Sequence, residues 1–307
     1  MAKPVKDPLT GAETTGHVWD DNLQEFNNPL PRWWLWAFYA SFVFAIIYWF
    51  MYPAWPIANT YTKGLSTVTY VNAAGEEVTT HWNTRALLAK ELESGESALR
   101  QKEYLEKVAA APYEQIAEDP DMSAFVRSYG NGVFGDNCAA CHQAGGQGVM
   151  GLFPNLVDDA WLWGDDTDQL HATLVNGRNG YMPPYQETFD DTQLTQVANY
   201  VMSLSGDPVD KAAAVEGERI FNGQEGGCYY CHTSKGTGLT SQGSANLTDK
   251  IWTVALVPAA DSPEGKLEAI KSVIHEGINR KMPAFGDRLS ETEIKVLVAY
   301  LQQMSAQ

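Results

Sequence analysis

Cysteine is scarce in this sequence. Its four cysteines in 307 residues stand in two pairs of identical spacing, too few and too regular for a disulfide scaffold. Cations are scarce as well: 21 Lys plus Arg face 38 Asp plus Glu, for a net charge of −17. That balance excludes the clustered positive surface a nucleic acid would need, so no nucleic acid is expected among the partners. Charged residues make up 19% of the chain and hydrophobic ones 44%, which excludes general disorder. The length suits about two domains rather than one small module. What is abundant is aromatic: ten Trp, 14 Tyr and 11 Phe.

Seven of those rings have an evident home. From Trp33 to Tyr52 the chain runs twenty residues without a charge. As a helix at 1.5 Å per residue this covers roughly 30 Å, the hydrocarbon thickness of a bilayer. Trp33, Trp34 and Trp36 crowd one end and Tyr48, Trp49, Tyr52 and Trp55 the other, where amphipathic rings favour the headgroup layer. A cleaved signal peptide would have a short basic leader and a shorter apolar core. Here residues 1–32 hold Lys3, Lys6 and Arg32 against Asp7, Glu13, Asp20, Asp21 and Glu25. An uncleaved anchor in a lipid bilayer is expected, and Arg32 and Lys63 alone do not set its orientation.

Past the anchor, Pro53 and Pro56 end the span, and β-branched runs at Ser66–Tyr70 and Glu77–Trp82 around Asn72 to Gly75 predict a short hairpin. Residues 83–110 predict one or two connecting helices broken at Gly95. Beyond Asp119-Pro120 the sequence repeats. Gly177, Met182-Pro183, Tyr185, Thr192, Leu194 and Tyr200 recur one hundred residues on as Gly277, Met282-Pro283, Phe285, Thr292, Ile294 and Tyr300. The early halves align on Cys138-Ala-Ala-Cys141-His142 and Cys228-Tyr-Tyr-Cys231-His232, preceded by Gly130 with Phe134 and Gly217 with Phe221. This is a domain present twice. The second copy is longer by three residues before its Cys and by about nine around Val254–Pro263, expected to lie in surface loops.

Two thiols two residues apart and followed at once by His form the attachment signature of haem c: the sulfurs bond the porphyrin vinyls and the imidazole reaches the iron. A redox dithiol or a shared zinc site would use the cysteines without an adjacent His in each copy. Two covalent haem c groups are expected, on Cys138 and Cys141 with His142, and on Cys228 and Cys231 with His232. A sixth donor closes the iron to oxygen, and the best-placed donors are Met182 and Met282, each in a Met-Pro at the same place in the repeat. A thioether is soft and neutral and raises the reduction potential. The sequence leaves open whether each Met serves the iron of its own repeat or of the other. His171, His275, His17 and His81 are read as ordinary histidines. The Phe153-Pro154-Asn155-Leu156 and Ala245-Asn246-Leu247 loops are expected to offer a carbonyl to the Nδ1 proton of each ligating His. Asp191–Leu204 and Glu291–Met304 are expected to be the closing helices of the two copies.

Each copy resembles a class I cytochrome c domain. With the acidic leader containing Gly16-His-Val-Trp-Asp20 and Asn28-Pro-Leu-Pro-Arg-Trp-Trp34, one anchor and two such domains, the whole resembles the dihaem subunit III of cbb3-type cytochrome c oxidases. The main departure from that pattern is the missing Pro in the second copy's Asn-Leu loop. The resemblance implies an all-α fold: a leader (1–32), an anchor (33–56), a connecting region (57–118), a cytochrome domain (119–205), a linker (206–213) and a second cytochrome domain (214–307). It implies a non-catalytic electron-transfer subunit, fed by a soluble or membrane-bound donor cytochrome c and assembled with a monohaem cytochrome c subunit and the catalytic haem-copper subunit. It also implies the bacterial cytoplasmic membrane, with the leader cytoplasmic and the haem domains periplasmic. A membrane-anchored dihaem cytochrome serving another dehydrogenase or reductase is the alternative, and a dihaem peroxidase is a second. Residues 119–205 hold two cations and eleven acids, and 214–307 nine cations and eleven acids. The first domain is therefore expected to present the more acidic face to a basic donor.

Overall fold

The computed structural model describes residues 5–21, 23–72 and 74–305. The chain divides into two units, Met1–Gln101 and Lys102–Gln307. In the first, helix α1 (Arg32–Met51) starts after Pro31 and stops before extended Tyr52. None of its residues is buried in protein, the condition of a helix that is apolar around its whole circumference and has lipid as its neighbour. Short antiparallel ribbons follow: β1 (Pro56–Ile57) with β2 (Thr60–Tyr61), then β3 (Thr67–Val71) with β4 (Glu77–His81). The second ribbon is the expected hairpin, and the Asn72 side chain closes it by accepting the Ala74 and Glu76 N–H groups. Helices α2 (Thr84–Ser94), capped by Asn83, and α3 (Glu96–Ala110) are separated by Gly95, where the sequence placed the break.

The second unit takes up the last turns of α3 and adds α4 (Tyr113–Glu118), α5 (Pro120–Asn137), α6 (Ala139–His142), α7 (Thr167–Asn176), β5 (Arg178–Met182) and α8 (Asp191–Leu204). The second repeat supplies α9 (Lys211–Asn222), α10 (Tyr229–His232), α11 (Pro263–Glu276), β6 (Ile278–Met282) and α12 (Glu291–Ser305). The helices start where capping chemistry allows. Asp190 and Gln193 close a reciprocal capping box on α8, and Ser290 with Glu293 does the same on α12.

These repeats of sequence do not each enclose their own core. One buried core joins Val108, Ile116, Val126, Phe134, Leu170 and Leu174 to Ile294, Leu297, Val298 and Tyr300 of α12. The other joins Ile220, Phe221, Ile270 and Ile274 to Leu194, Val197, Ala198, Tyr200 and Val201 of α8. Each closing helix thus completes the lobe of the other repeat. The Gly-aromatic motif shows how. A Cβ on Gly130 would lie 2.8 Å from Cβ of Tyr300, and one on Gly217 would lie 2.0 Å from the Gln196 carbonyl oxygen and 2.9 Å from Cβ of Tyr200. Both glycines let helices from different repeats touch backbone to backbone. Beside them Phe134 meets Tyr300 at 5.8 Å between centroids, and Phe221 meets Tyr200 at 5.1 Å.

The chains cross at an antiparallel ribbon of β5 and β6, which pairs Arg178 with Met282, Gly180 with Arg280 and Met182 with Ile278. Beyond it the Tyr185 N–H donates to Ile274 O of the second lobe, and the Phe285 N–H to Leu174 O of the first. Two sequence expectations change as a result. The segment at Val254–Pro263 is not a surface loop throughout, because Ala255 and Val257 are buried in the second core, where their apolar side chains fill the lobe. The charge contrast between domains also disappears. Residues 119–176 with 283–305 hold three cations and eleven acids, residues 183–276 hold six cations and thirteen acids, and the net charges are −8 and −7. The ribbon, residues 177–182 and 277–282, holds Arg178, Arg280 and Lys281 and no acid.

Candidate haem centres

In the first lobe, α5 runs into Cys138, and the single turn of α6 carries Cys141 and His142. His142 is buried, and its Nδ1 lies 3.0 Å from the Pro154 carbonyl oxygen. In the second lobe, α10 presents His232 in the same way, with Nδ1 2.9 Å from Ala245 O. The expected orienting carbonyl is therefore present in both copies, and the missing Pro of the second loop does not disturb it. Gln143 and Thr233, both at positive φ (65° and 63°), turn the chain away immediately after each His. In each lobe the N–H six residues after the His then donates back to its carbonyl, from Gly148 to His142 O and from Gly238 to His232 O.

With Nδ1 committed to a carbonyl, Nε2 of each imidazole is the ring atom left to meet an iron. Burial holds both imidazoles below their ordinary pKa, in the neutral form that ligates, with the carbonyls opposing that shift. Burial also pushes the thiols of Cys138 and Cys228 up to about 11, the reverse of a redox dithiol or a zinc thiolate pair. All four cysteines are free of disulfides. Among the described residues no cluster of three or more His, Cys, Asp and Glu is placed to hold a metal ion.

Each methionine of the two Met-Pro motifs packs on the lobe that holds the other repeat's Cys-x-x-Cys-His. Met182 lines a predominantly apolar cavity together with Cys228, His232, Phe221, Ile274 and Ile278. Met282 packs on the other core, the one that contains Cys138 and Phe134. Met182 thus shares a cavity with His232 of the second repeat, and Met282 packs beside Cys138 of the first. The remaining histidines stay outside. His171 Nε2 pairs with Glu291 Oε1 at 2.7 Å, and His81 Nε2 lies 3.0 Å from the Tyr61 hydroxyl.

In the second lobe a neutral imidazole aimed by its carbonyl, a thioether brought in by a strand of the other repeat, two thiols two residues apart in sequence and an apolar cavity fit the donor set that haem c requires. Sequence reasoning missed the ribbon that delivers the methionines and its arginines. Neither Arg-Asn-Gly-Tyr-Met nor Ile-Asn-Arg-Lys-Met carries a clear strand pattern, so no signal in the sequence pointed to them.

Comparisons with known proteins agree with these features. Residues 11–59 match the family described as the N-terminal domain of cytochrome oxidase-cbb3, FixP. Residues 128–201 and 212–301 match cytochrome c oxidase, cbb3-type, subunit III. The chain is 39% identical to the cbb3-type cytochrome c oxidase subunit FixP of Azorhizobium caulinodans, over 97% of this chain and 94% of that protein. It is 35% identical to subunit CcoP of Azospirillum brasilense over 99% of both chains. With subunit CcoP of Cereibacter sphaeroides the identity is 34% over 97% of both.

Proposed function

The chain belongs to the family of subunit III of cbb3-type cytochrome c oxidases, membrane-anchored cytochrome c subunits of a terminal oxidase, and on that premise we propose that it is a two-haem electron relay with crossed ligands. In this reading Cys138 and Cys141 tether one haem c, whose iron takes His142 and Met282. Cys228 and Cys231 tether the other, whose iron takes His232 and Met182. The observation that carries it is Met182 in one cavity with His232 and Cys228.

Bound haem c supplies reversible one-electron chemistry. The protein's part is to hold and tune it. The Pro154 and Ala245 carbonyls each accept the Nδ1 proton of a histidine and fix tautomer and ring orientation. Met182 and Met282 would hold the iron as soft, neutral thioether donors, which would favour the ferrous state and leave no open position for oxygen. Because β5 and β6 are hydrogen-bonded to each other, Met182 and Met282 sit on one paired ribbon, which would hold both thioethers in place. The chain is thus a non-catalytic subunit of the oxidoreductase complex. It takes electrons from a donor cytochrome c and passes them toward a monohaem cytochrome subunit and the catalytic haem-copper subunit. Its leader is cytoplasmic and its haem lobes periplasmic, a topology supported by the attachment of haem c outside the bacterial cytoplasmic membrane.

The test removes one tether at a time. In a Cys228→Ala, Cys231→Ala chain only the haem on Cys138 and Cys141 remains, and adding Met282→His is expected to change its spectrum to a bis-histidine form while Met182→His leaves it unmoved. The opposite result overturns the crossed ligation. Rapid binding of carbon monoxide to the native ferrous protein overturns the closed relay.

A further inference from the structure

The inner face of the β5–β6 ribbon carries Arg178, Gly180 and Met182 on one strand and Ile278, Arg280 and Met282 on the other, all half-buried, while Asn179, Tyr181, Asn279 and Lys281 face outward. Arg280 is at the centre. It lies opposite Gly180, which has no side chain to fill the space, and two residues, roughly 7 Å of strand, from Met282. Across the ribbon Ile278 and Met182 line the second cavity.

Arg280 is poorly satisfied for a half-buried cation. A guanidinium has five N–H donors, and the partner of this one is the carbonyl oxygen of Gly151. Among the described residues no carboxylate pairs with it. Arg178, its ribbon neighbour, is engaged by Thr173 Oγ1 at 2.9 Å, Gln169 O at 3.2 Å and the face of Trp163 at 4.8 Å. Gly151 itself abuts Leu256 and the Val254 carbonyl, so the Arg280 head lies where the loop beside His142 meets the wall of the His232 cavity. Desolvating a cation without an anion is costly, and a carboxylate at that seam removes the cost with a charge-assisted, bidentate contact.

We infer that Arg280 binds a haem propionate at the seam between the two lobes, a carboxylate clamp present in one strand of the ribbon and absent from the other, where Gly180 takes its place. This rests on the two-haem reading above. Pairing with the clamp stabilises the ionised propionate and adds positive charge beside the porphyrin, so it favours the reduced haem.

The test is redox titration of the detergent-solubilised full-length chain, read optically for both haems across a pH series. Arg280→Gln is expected to lower at least one midpoint potential by about 59 mV, a tenfold change in the reduced-to-oxidised ratio for one electron. It is also expected to move the pH-dependent break in that potential upward, because a carboxylate without its cation protonates more easily. Lys281→Gln removes the same charge from the outward face and is expected to leave both readings unchanged. Unaltered potentials and pH profile in Arg280→Gln, or equal shifts in both variants, overturn the clamp. If Arg280→Gln fails to retain haem, Arg280→Lys is read instead: a point charge for a fork is expected to keep the reduced-to-oxidised ratio within threefold of the native value while still shifting the pH break, and an unshifted break overturns the proposal. Haem content by pyridine haemochrome separates the two readings. Two haems per chain with no shift defeats the clamp alone, and fewer than two in the native chain defeats the relay itself.

Discussion

The two lobes are built on one plan and held together by different means. Both put a Gly of the N-terminal helix against a Tyr of a closing helix, both aim a His with a backbone carbonyl, and both borrow that closing helix from the other repeat. They differ at the contacts between repeats. In the first, the pair linking α7 to α12 is His171 with Glu291. At the equivalent place in the second, Lys271 of α11 meets Asp191 of α8 at 2.7 Å. The second lobe has in addition the half-buried pair Lys266–Asp207 at 2.9 Å, anchoring the turn after α8 to α11. Duplicated frameworks therefore keep the steric solution that brings the helices together and vary the charges around it, because close contact between helices tolerates few side chains and an ion pair tolerates many.

The sharpest way to break the comparison is at the glycines. Gly217→Ala puts a Cβ on a backbone carbonyl that cannot yield, so the second lobe is expected to lose about 3 kcal/mol. Gly130→Ala meets Cβ and Cγ of Tyr300, which the closing helix holds in place, but at 2.8 Å rather than 2.0 Å, and is expected to cost the first lobe somewhat less, about 2 kcal/mol. Thermal unfolding followed separately at each haem measures the difference. The caps test the exchange itself. Asp190→Ala is a change in the first repeat, yet it is expected to weaken the second lobe by about 1 kcal/mol, and Ser290→Ala in the second repeat to weaken the first lobe equally. If each variant weakens its own repeat's lobe, the crossing is wrong.

The acid response sharpens the comparison further. Lys266 holds the Asp207 carboxyl below its ordinary value. The stability this lends is full above about pH 4 and is lost as pH falls through the lowered value. Acid unfolding is therefore expected to show an extra loss of about 1 kcal/mol in the second lobe, largely removed by Lys266→Met. The smallest effect belongs to the exposed pairs. Asp191 is 86% exposed and Glu291 78% exposed. Lys271→Met and His171→Met are each expected to shift their lobe by less than about 0.5 kcal/mol in salt-dependent fashion.

Most local structure was legible. The uncharged run became α1, the turn at Asn72 closed a hairpin, Gly95 parted two helices, and Asp191 and Glu291 opened the closing helices. These follow from neighbours in sequence: helical period, caps and turn residues act within a few positions. The histidine-orienting carbonyls were also legible, because their distance from the motif is short. The partner of each closing helix was not. Leu194 and Ile294, or Tyr200 and Tyr300, are so alike that the pattern names a buried face without naming which core receives it. Nor was the burial of Ala255 and Val257, since an insertion with apolar residues reads as a loop until the cavity it fills is known.

By itself, then, the sequence determined the apolar helix, the duplication and the two Cys-x-x-Cys-His motifs, since each is encoded in side chains that act where they stand. Tertiary structure alone decided that Met182 lines the pocket of His232, that the lobes carry nearly equal charge, and that Arg280 lies at the seam between them. Those are relations between segments about a hundred residues apart, fixed by which of two equivalent surfaces a helix covers, and no local pattern distinguishes equivalent surfaces.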